Sequence, residues 1–307
     1  MMILQHVSVI VPTYKSLDYL RRTIVSLEKQ SFDRSHFEVV VVDDGSKDET
    51  EEWLLAYTGS LNLKVEILNK NQGRSHARNV GVDLSNNPIL VFLDGDMELE
   101  SEFIENHAKW HLNPDIVAIG RVVYDPKLGQ RGYARYLQGR GAMKFRTADQ
   151  IPGRYLLSGN CSMTRDTFNK VKGFDESIIH YGEDLDMGIR LEKLDMKLIY
   201  DSSLVVSHLH IRPLNDVLKT SFEYGFKSLP QLAKLHPELF SQLRLDWLGS
   251  GGFSTLLKKF VLSDVVYFPL YRFVKLLNDV AIPPILYSYL IFRNYYKGYE
   301  KYVGSSN

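Results

Sequence analysis

The first hundred residues alternate between short apolar runs and segments with helical periodicity. The apolar runs lie at 6–12, 37–43, 64–68 and 88–93. They lack the apolar/polar alternation of a strand with one wet face, so both faces of each strand are predicted to be buried. The intervening segments predict helices, as shown by the spacing of Leu17, Leu20, Ile24 and Leu27. Buried strands separated by helices predict an α/β fold with a doubly wound, mostly parallel sheet.

Acidic residues follow two of these strand runs directly. Asp43 and Asp44 end the second run, and the fourth run leads into Asp94-Gly95-Asp96. The carboxyl ends of parallel strands meet at one edge of a sheet, and ligands bind there. Two carboxylates around a glycine suit Mg²⁺ or Mn²⁺, which keep other positions for phosphate oxygens and water. The pattern predicts a divalent cation and diphosphate site, with an ordinary Asp-Gly-Asp turn as the alternative.

A smaller signal concerns the start of the second helix. Asp48 and Glu51 have the spacing of a capping box, in which two side chains satisfy the first free backbone N–H groups of a helix. The spacing therefore predicts that this helix starts at Asp48.

Matched segments along the chain resemble the inverting family 2 glycosyltransferases with the GT-A fold. They are 9–14 (VIVPTY), 41–46 (VVDDGS), 71–73 (NQG) with 77–79 (ARN), 94–96 (DGD), 159–160 (GN), 173–176 (GFDE) and 182–184 (GED). The resemblance covers roughly residues 6–212. Two departures bear on donor choice: Lys15 replaces an Asn that is frequent in the family, and Arg74 replaces a small or apolar residue.

The resemblance also implies a domain organisation. A GT-A catalytic domain is expected over residues 1–212, with a nucleotide-binding half at 1–98 and an acceptor-side half at 99–212. Residues 213–307 have helical patterns rich in Leu, Phe and Tyr, and predict a C-terminal helical extension.

For the nucleotide, the resemblance implies recognition at the first two strand ends. The backbone around Pro12, Thr13 and Tyr14 would frame the base, and Asp43 would accept a hydrogen bond from its edge. A carboxylate favours uracil, whose N3 carries a proton, over adenine, and it does not exclude guanine. Asp44 is expected to cap the turn through Gly45 and Ser46, or to share in donor binding.

For the metal, the resemblance implies Asp96 as a direct ligand of Mn²⁺ or Mg²⁺. Asp94 and Gly95 would contact the donor, at its ribose or through the water shell of the metal. A further ligand is expected at the end of the last strand, where alternation places His208 and His210 on one face. His208 is favoured by its match to the family, and a structural role for both histidines is the alternative.

For the acceptor side, the resemblance implies Asp184 as the catalytic base, with Glu183 and Asp186 as acceptor-binding residues. Asp184 precedes a helical pattern, so the helix dipole favours its ionised form while the neighbouring carboxylates raise its pKa. Arg74 is expected to reach the donor and Arg78 to pair with the acidic cluster, or both form plain structural ion pairs.

Composition limits the partners. The chain has 37 basic and 37 acidic residues, which gives no sign of a nucleic-acid partner. Its single cysteine, Cys161, suits a reducing compartment and a buried position. The amino-terminal pattern lacks the features of a signal peptide, so a cytoplasmic protein is expected.

The helical extension offers two interpretations. Within 255–300, aromatic and aliphatic residues alternate with Lys and Arg, which predicts peripheral binding to a membrane, or else packing or a homodimer. The longest charge-free stretch, 280–292, is too short for a transmembrane helix.

Together these features predict a metal-assisted inverting glycosyltransferase. Its expected partners are a nucleotide diphosphate sugar, with UDP favoured, and a hydroxyl of a glycan or lipid-linked acceptor in the synthesis of cell-surface glycans or glycolipids. One rival is a sugar nucleotidyltransferase, which needs a glycine-rich triphosphate loop where this chain has residues 12–16 (PTYKS). The other is a non-catalytic nucleotide-sugar-binding protein.

Overall fold

The computed structural model describes residues 5–239, 243, 253–277, 280 and 282–305. Its backbone divides into two units. The sheet unit comprises Met1–Tyr124, Gln138–Ile179 and Glu183–His210, and the helical unit comprises Asp125–Leu137, His180–Gly182 and Ile211–Asn307. The predicted boundary at residue 212 stays a prediction, and residues 1–4, 240–242, 244–252, 278, 279, 281, 306 and 307 of the predicted segments lie outside the described residues.

The elements are numbered in chain order. The strands are β1 Val7–Thr13, β2 Phe37–Asp43, β3 Leu63–Ile67, β4 Ile89–Leu93, β5 Met97–Leu99, β6 Ile116–Tyr124, β7 Asn160–Thr164 and β8 Lys197–His208. The α-helices are α1 Leu17–Glu28, α2 Thr50–Leu55, α3 Arg74–Leu84, α4 Phe103–Trp110, α5 Arg131–Gln138, α6 Arg165–Lys170, α7 Glu183–Lys193, α8 Leu214–Glu223, α9 Leu229–Leu235, α10 Phe253–Val261, α11 Asp264–Leu276 and α12 Pro284–Ser305.

The described strands form one sheet in the order β3-β2-β1-β4-β7-β6-β8-β5. The β3-β2-β1-β4 half is parallel, as is the β6–β8 pair. Antiparallel pairing joins β4 to β7, β7 to β6 and β8 to β5. The prediction of a doubly wound, mostly parallel sheet is confirmed, and the four strand runs match β1 to β4 within one residue at each end.

Side chains of β1 alternate between two cores, one on each face of the sheet. Val9 and Val11 pack with Leu20 and Ile24 of α1, whereas Ile10 packs with Ala77 of α3. All six are buried. Because both faces are covered, an uninterrupted apolar run was the correct signal for these strands.

The Asp-Gly-Asp turn connects β4 to the short strand β5. β5 pairs with the end of β8, with Met97 opposite His208. Earlier in β8 the register shifts, because Gly120 of β6 lies opposite Asp201 and the next residue, Arg121, lies opposite Val205. Residues 202–204 therefore form an irregularity in β8 before its last residues reach the turn.

The capping-box prediction for α2 is wrong. α2 starts at Thr50, with Glu49 at the N-cap position. The Asp48 carboxylate accepts a hydrogen bond from the Thr50 backbone N–H at 2.9 Å, which is a turn contact two residues ahead. With this local bond in place, the helix begins at Thr50, two residues after the start at Asp48 that the capping box predicted.

In the helical unit, α12 lies against α8 and the π-helical turn Tyr224–Ser228. Glycines allow this approach, since a Cβ on Gly225 would lie 1.8 Å from the Tyr295 carbonyl oxygen and one on Gly298 would lie 2.1 Å from that of Phe222. The predicted C-terminal helices are confirmed. None of the helices among the described residues combines the length and apolar character needed to cross a bilayer.

Candidate functional site

A carboxylate and two imidazoles meet where the Asp-Gly-Asp turn lies beside the end of β8. Asp96 Oδ2 lies 3.7 Å from His208 Nε2 and 3.6 Å from His210 Nδ1. The Leu209 backbone N–H donates to the Asp96 carbonyl oxygen at 2.9 Å, which fixes the two segments together. One ligand-type atom from each of the three side chains lies within 4.8 Å of the others. Both His208 and His210 therefore lie beside Asp96, and the choice of His208 as the metal ligand stays a prediction.

Two tyrosines hold these imidazoles. The Tyr124 ring stacks on His208 at 5.3 Å, and the Tyr19 ring stacks on His210 at 4.8 Å. Burial raises the pKa of the Tyr124 hydroxyl to about 12, with the Asp96 charge adding to the effect. Neither tyrosine was predicted from the sequence, since stacking between distant segments leaves no local pattern.

The donor set fits a divalent cation. Asp96 Oδ1 is buried and has no hydrogen-bond partner among the described residues. Burial raises the pKa of the Asp96 carboxyl, opposed by His208 and reinforced by the Asp94 charge. An unsatisfied buried oxygen is costly unless a cation or water completes its contacts. One carboxylate with two imidazoles suits a transition metal such as Mn²⁺ better than Mg²⁺, which prefers oxygen ligands.

Asp94, at the other end of the turn, is held by a buried arginine. Arg78 Nη2 lies 2.8 Å from Asp94 Oδ1, and the arginine itself is 1% exposed. Burial alone would raise the pKa of Asp94, but the charges of Arg78 and Arg74 hold it below its usual range. Gly159 makes room for the carboxylate, because a Cβ there would lie 2.4 Å from Asp94 Oδ2.

Arg78 also reaches the start of α7. Its Nη1 lies 3.5 Å from Glu183 Oε1, and Arg74 Nε lies 3.3 Å from the same oxygen. The Phe174 ring lies 5.3 Å from the Arg78 guanidinium carbon. The expected pairing of Arg78 with the acidic cluster is confirmed, and this one side chain joins the Asp-Gly-Asp turn to the first residue of α7.

Asp184 is the second residue of α7, as its sequence position predicts. The Ser158 hydroxyl donates a hydrogen bond to Asp184 Oδ1. Burial and the Glu183 charge raise the pKa of Asp184 to about 6, while Arg78 and the Ser158 hydrogen bond oppose the rise. Ser158 was not predicted, although its position next to the matched Gly159-Asn160 segment could have indicated it.

Asp186 is the fourth residue of α7, and it has a different partner. Its Oδ2 accepts hydrogen bonds from Arg190 Nε at 2.8 Å and from Arg190 Nη2 at 2.5 Å. Arg190 also donates to the carbonyl oxygens of Val171 and Gly173. The structure thus gives Asp186 a helix-to-loop contact, apart from the Arg78 cluster that holds Asp94 and Glu183.

The two carboxylates of the turn after β2 have different hydrogen-bond partners. Asp43 accepts from the backbone N–H of Ser46 at 3.2 Å and from its hydroxyl. Asp44 accepts from the backbone N–H groups of Gln72 and Gly73, at 2.7 and 2.9 Å. The prediction that Asp44 caps its own turn is wrong, since Asp43 does so and Asp44 ties the turn to the loop before α3. Asp43 is 1% exposed, and burial raises its pKa.

The end of β1 lies beside this turn. Lys15 has φ 50°, a left-handed conformation that Asn tolerates better than Lys, and its N–H donates to Ser46 Oγ at 2.8 Å. Gly95 packs close to β1, because a Cβ there would lie 3.1 Å from the Pro12 carbonyl oxygen. Tyr14 is exposed. An open pocket is lined by Lys15, Ser16, Leu17, Asp18, Tyr19, Asp48 and Glu49.

The loop containing the matched 173–176 segment is tied to α3. The Asn79 amide donates to the Phe174 carbonyl oxygen at 2.9 Å and accepts from the Phe174 N–H at 3.0 Å. Asn79 also donates to Glu176 Oε1 at 2.8 Å. One side chain of α3 therefore holds the loop that leads towards α7.

Comparison with known proteins identifies the class. The family model described as glycosyl transferase family 2 matches residues 8–171. The model described as the N-terminal domain of galactosyltransferase matches residues 144–210. The chain belongs to glycosyl transferase family 2, and is an enzyme of the glycosyltransferase class. The family predicted from the matched segments is therefore confirmed.

Individual relatives agree with this. Glycosyltransferase AglE of Haloferax volcanii is 27% identical over 225 residues, covering 72% of each chain. Poly(ribitol-phosphate) beta-N-acetylglucosaminyltransferase TarS of Staphylococcus aureus is 41% identical over 102 residues, covering 33% of this chain and 18% of TarS. For several curated relatives the aligned part is half of their length or less.

Solved structures show the fold. The mannosyltransferase PcManGT from Pyrobaculum calidifontis, solved with GDP-Man and Mn²⁺, superposes with a TM-score of 0.61 at 18% identity, covering 97% of this chain and 88% of its own. Residues 1–349 of TarS, solved with UDP-GlcNAc, superpose with a TM-score of 0.56 at 22% identity, covering 98% and 92%. The predicted GT-A fold is confirmed.

Proposed function

We propose that this enzyme transfers a sugar, with inversion, from a UDP-linked donor to a hydroxyl acceptor in glycan or glycolipid synthesis. The observation that carries the proposal is the position of Arg78, which contacts both Asp94 of the Asp-Gly-Asp turn and Glu183 of α7. Arg78 thereby joins the turn proposed to bind the donor to the first residue of α7, and the next residue of that helix is the buried Asp184, whose pKa is raised.

On the donor side, Asp96, His208 and His210 would hold Mn²⁺ or Mg²⁺, with Asp94 and Gly95 against the ribose. The cation supplies neutralisation of the diphosphate as it leaves. Arg74, which is partly exposed beside Glu183, would add positive charge near the diphosphate oxygens. Pro12, Thr13 and Tyr14 would frame the base, and the buried Asp43 would accept from uracil N3.

On the acceptor side, Asp184 takes the proton. The acceptor oxygen forms a bond to the anomeric carbon as the bond from that carbon to the phosphate oxygen breaks, and the electron pair leaves with UDP. A base with a pKa of about 6 is ionised at neutral pH yet still accepts a proton effectively. Glu183 would bind acceptor hydroxyls. Asp186 is less suited to that proposed role because Arg190 binds its carboxylate.

The test combines donor binding with a donor-only reaction. Thermal shifts with UDP and GDP, each with Mn²⁺, should show stabilisation by UDP that is lost in Asp96→Ala and kept in Glu105→Ala, a surface control paired with Lys109. With UDP-α-glucose and other UDP-sugars, slow hydrolysis by water should release the β-anomer first, as NMR would detect. Stabilisation by GDP and not by UDP would show that the donor nucleotide is GDP. Release of the α-anomer first would exclude inversion.

A further inference from the structure

Helix α11 is apolar on two opposite sides, but only one side is covered by described residues. Its inner side carries Tyr267 and Val274, which are buried. Arg293 of α12 lies over the Tyr267 ring at 4.2 Å, and Asn294 donates to the Tyr267 hydroxyl at 3.1 Å. These contacts fix the rotation of α11 about its own axis.

The other side of α11 is exposed. Val265, Phe268 and Leu276 have 75%, 53% and 83% of their surface accessible, and their spacing with Arg272 places them on one helical face. The preceding helix α10 also exposes Leu256, Leu257 and Phe260. A soluble protein rarely leaves such a group of large apolar side chains uncovered without using it for binding.

The charges beside this surface have one sign. Between residues 253 and 277 the cations are Lys258, Lys259, Arg272 and Lys275, and the single acidic residue is Asp264. Asp264 is bound by Arg293 of α12, so its charge is already compensated. The face of α11 and the adjoining α10 therefore combine apolar side chains with more cationic than acidic residues, and a suitable partner has an apolar layer beneath an anionic surface.

We infer that the exposed face of α11, with the adjoining α10, binds the surface of an anionic lipid bilayer. Val265, Phe268 and Leu276 enter the boundary between head groups and acyl chains, while Arg272 and the neighbouring lysines contact anionic head groups. A twofold homodimer through the same face would bring the cations of both copies into one interface, where like charges repel. This inference concerns the helical unit alone and does not depend on the proposed sugar transfer.

Co-sedimentation of the full chain with vesicles tests the inference. Binding is expected to vesicles of equimolar phosphatidylcholine and phosphatidylglycerol, to weaken in high salt, and to be much weaker with phosphatidylcholine alone. The double variant Val265→Ser/Leu276→Ser should lose about tenfold or more in vesicle affinity, since it removes apolar surface that enters the bilayer. The variant Lys259→Gln/Arg272→Gln should lose roughly fivefold for each cation removed.

The matched control is Leu55→Ser, which changes an equally exposed leucine of α2 and should bind as the wild type does. Circular dichroism and thermal midpoints of the variants check that they fold. Failure of the wild type to bind anionic vesicles at low salt would overturn the inference. So would a wild-type dimer, seen by light scattering, that dissociates in the Val265→Ser/Leu276→Ser variant.

Discussion

Arg78 Nη2 lies 2.8 Å from Asp94 Oδ1, and Nη1 of the same buried guanidinium lies 3.5 Å from Glu183 Oε1. Removing Arg78 leaves Asp94 without this partner and Glu183 with Arg74 alone, and breaking a buried ion pair is costly. Arg78→Met is therefore expected to lower the free energy of unfolding by roughly 3–5 kcal/mol. Arg78→Lys should lose less, because it keeps the charge and loses the forked geometry.

Urea unfolding monitored by circular dichroism measures this effect. Arg22→Met is the control, since Arg22 pairs with Glu98 at 2.9 Å on the surface, where a salt bridge is worth about 0–1 kcal/mol. Equal effects at positions 22 and 78 would show that the buried cluster is not a source of stability.

The second prediction concerns Asp184 and pH. If Asp184 is the base, Asp184→Asn should reduce turnover by about 10²-fold or more while donor affinity stays nearly unchanged. In the wild type, kcat/KM should fall as pH decreases through about 6, where Asp184 becomes protonated. Ser158→Ala removes a hydrogen bond to the ionised form, so its inflection should move to higher pH.

The control for this experiment is Asp166→Asn. Asp166 is likewise the second residue of its helix, α6, but it is exposed. The Asp166→Asn variant should keep both the turnover and the pH profile of the wild type. Near-normal turnover of Asp184→Asn would show that another residue is the base.

A third prediction follows from linkage between protonation and stability. The pKa of Asp184 is raised from 3.8 to about 6 in the folded protein, so the folded state binds the proton more tightly than the unfolded state. Stability must then decrease as pH rises from about 4 to about 6. Asp184→Asn removes this penalty and should raise the thermal midpoint at neutral pH, with a smaller gain near pH 4. A lower midpoint at neutral pH would contradict the raised pKa.

The strands, helices and acidic turns could be predicted because each depends on a local pattern. The partners of the side chains could not. Arg78 and Glu183 are separated by 105 positions, and only the packing of α3 against the sheet brings them together. Asp43 and Asp44 are adjacent and chemically identical, so the sequence cannot indicate which one caps the turn and which one reaches Gly73.

A fourth prediction concerns Gly159. Its missing side chain leaves the space that Asp94 Oδ2 occupies, since a Cβ would lie 2.4 Å away. Gly159→Ala should displace the Asp94 carboxylate and weaken UDP binding in the presence of Mn²⁺, as titration calorimetry would measure. Gly304→Ala, where a Cβ has nothing within 4 Å, should bind UDP normally. Unchanged UDP affinity in Gly159→Ala would show that the position of Asp94 does not matter for the donor.

The fifth prediction concerns the metal. Because two imidazoles accompany Asp96, activity should be higher with Mn²⁺ than with Mg²⁺. His208→Ala and His210→Ala should each weaken Mn²⁺ binding by on the order of tenfold or more, measured by electron paramagnetic resonance. His6→Ala, at an exposed position outside this group, should not. Normal Mn²⁺ affinity in His210→Ala would reduce the ligands to Asp96 and His208.

The irregularity at residues 202–204 of β8 has a consequence for comparing sequences. The number of residues in it determines which later side chains face Asp96, because neighbouring positions along a strand project to opposite faces. Loss of one residue there would shift the later residues by one position, so that His208 and His210 face away from Asp96. A homologue with a gap in this short stretch can have histidines aligned with His208 and His210 and yet offer no nitrogen ligand to a cation at this turn.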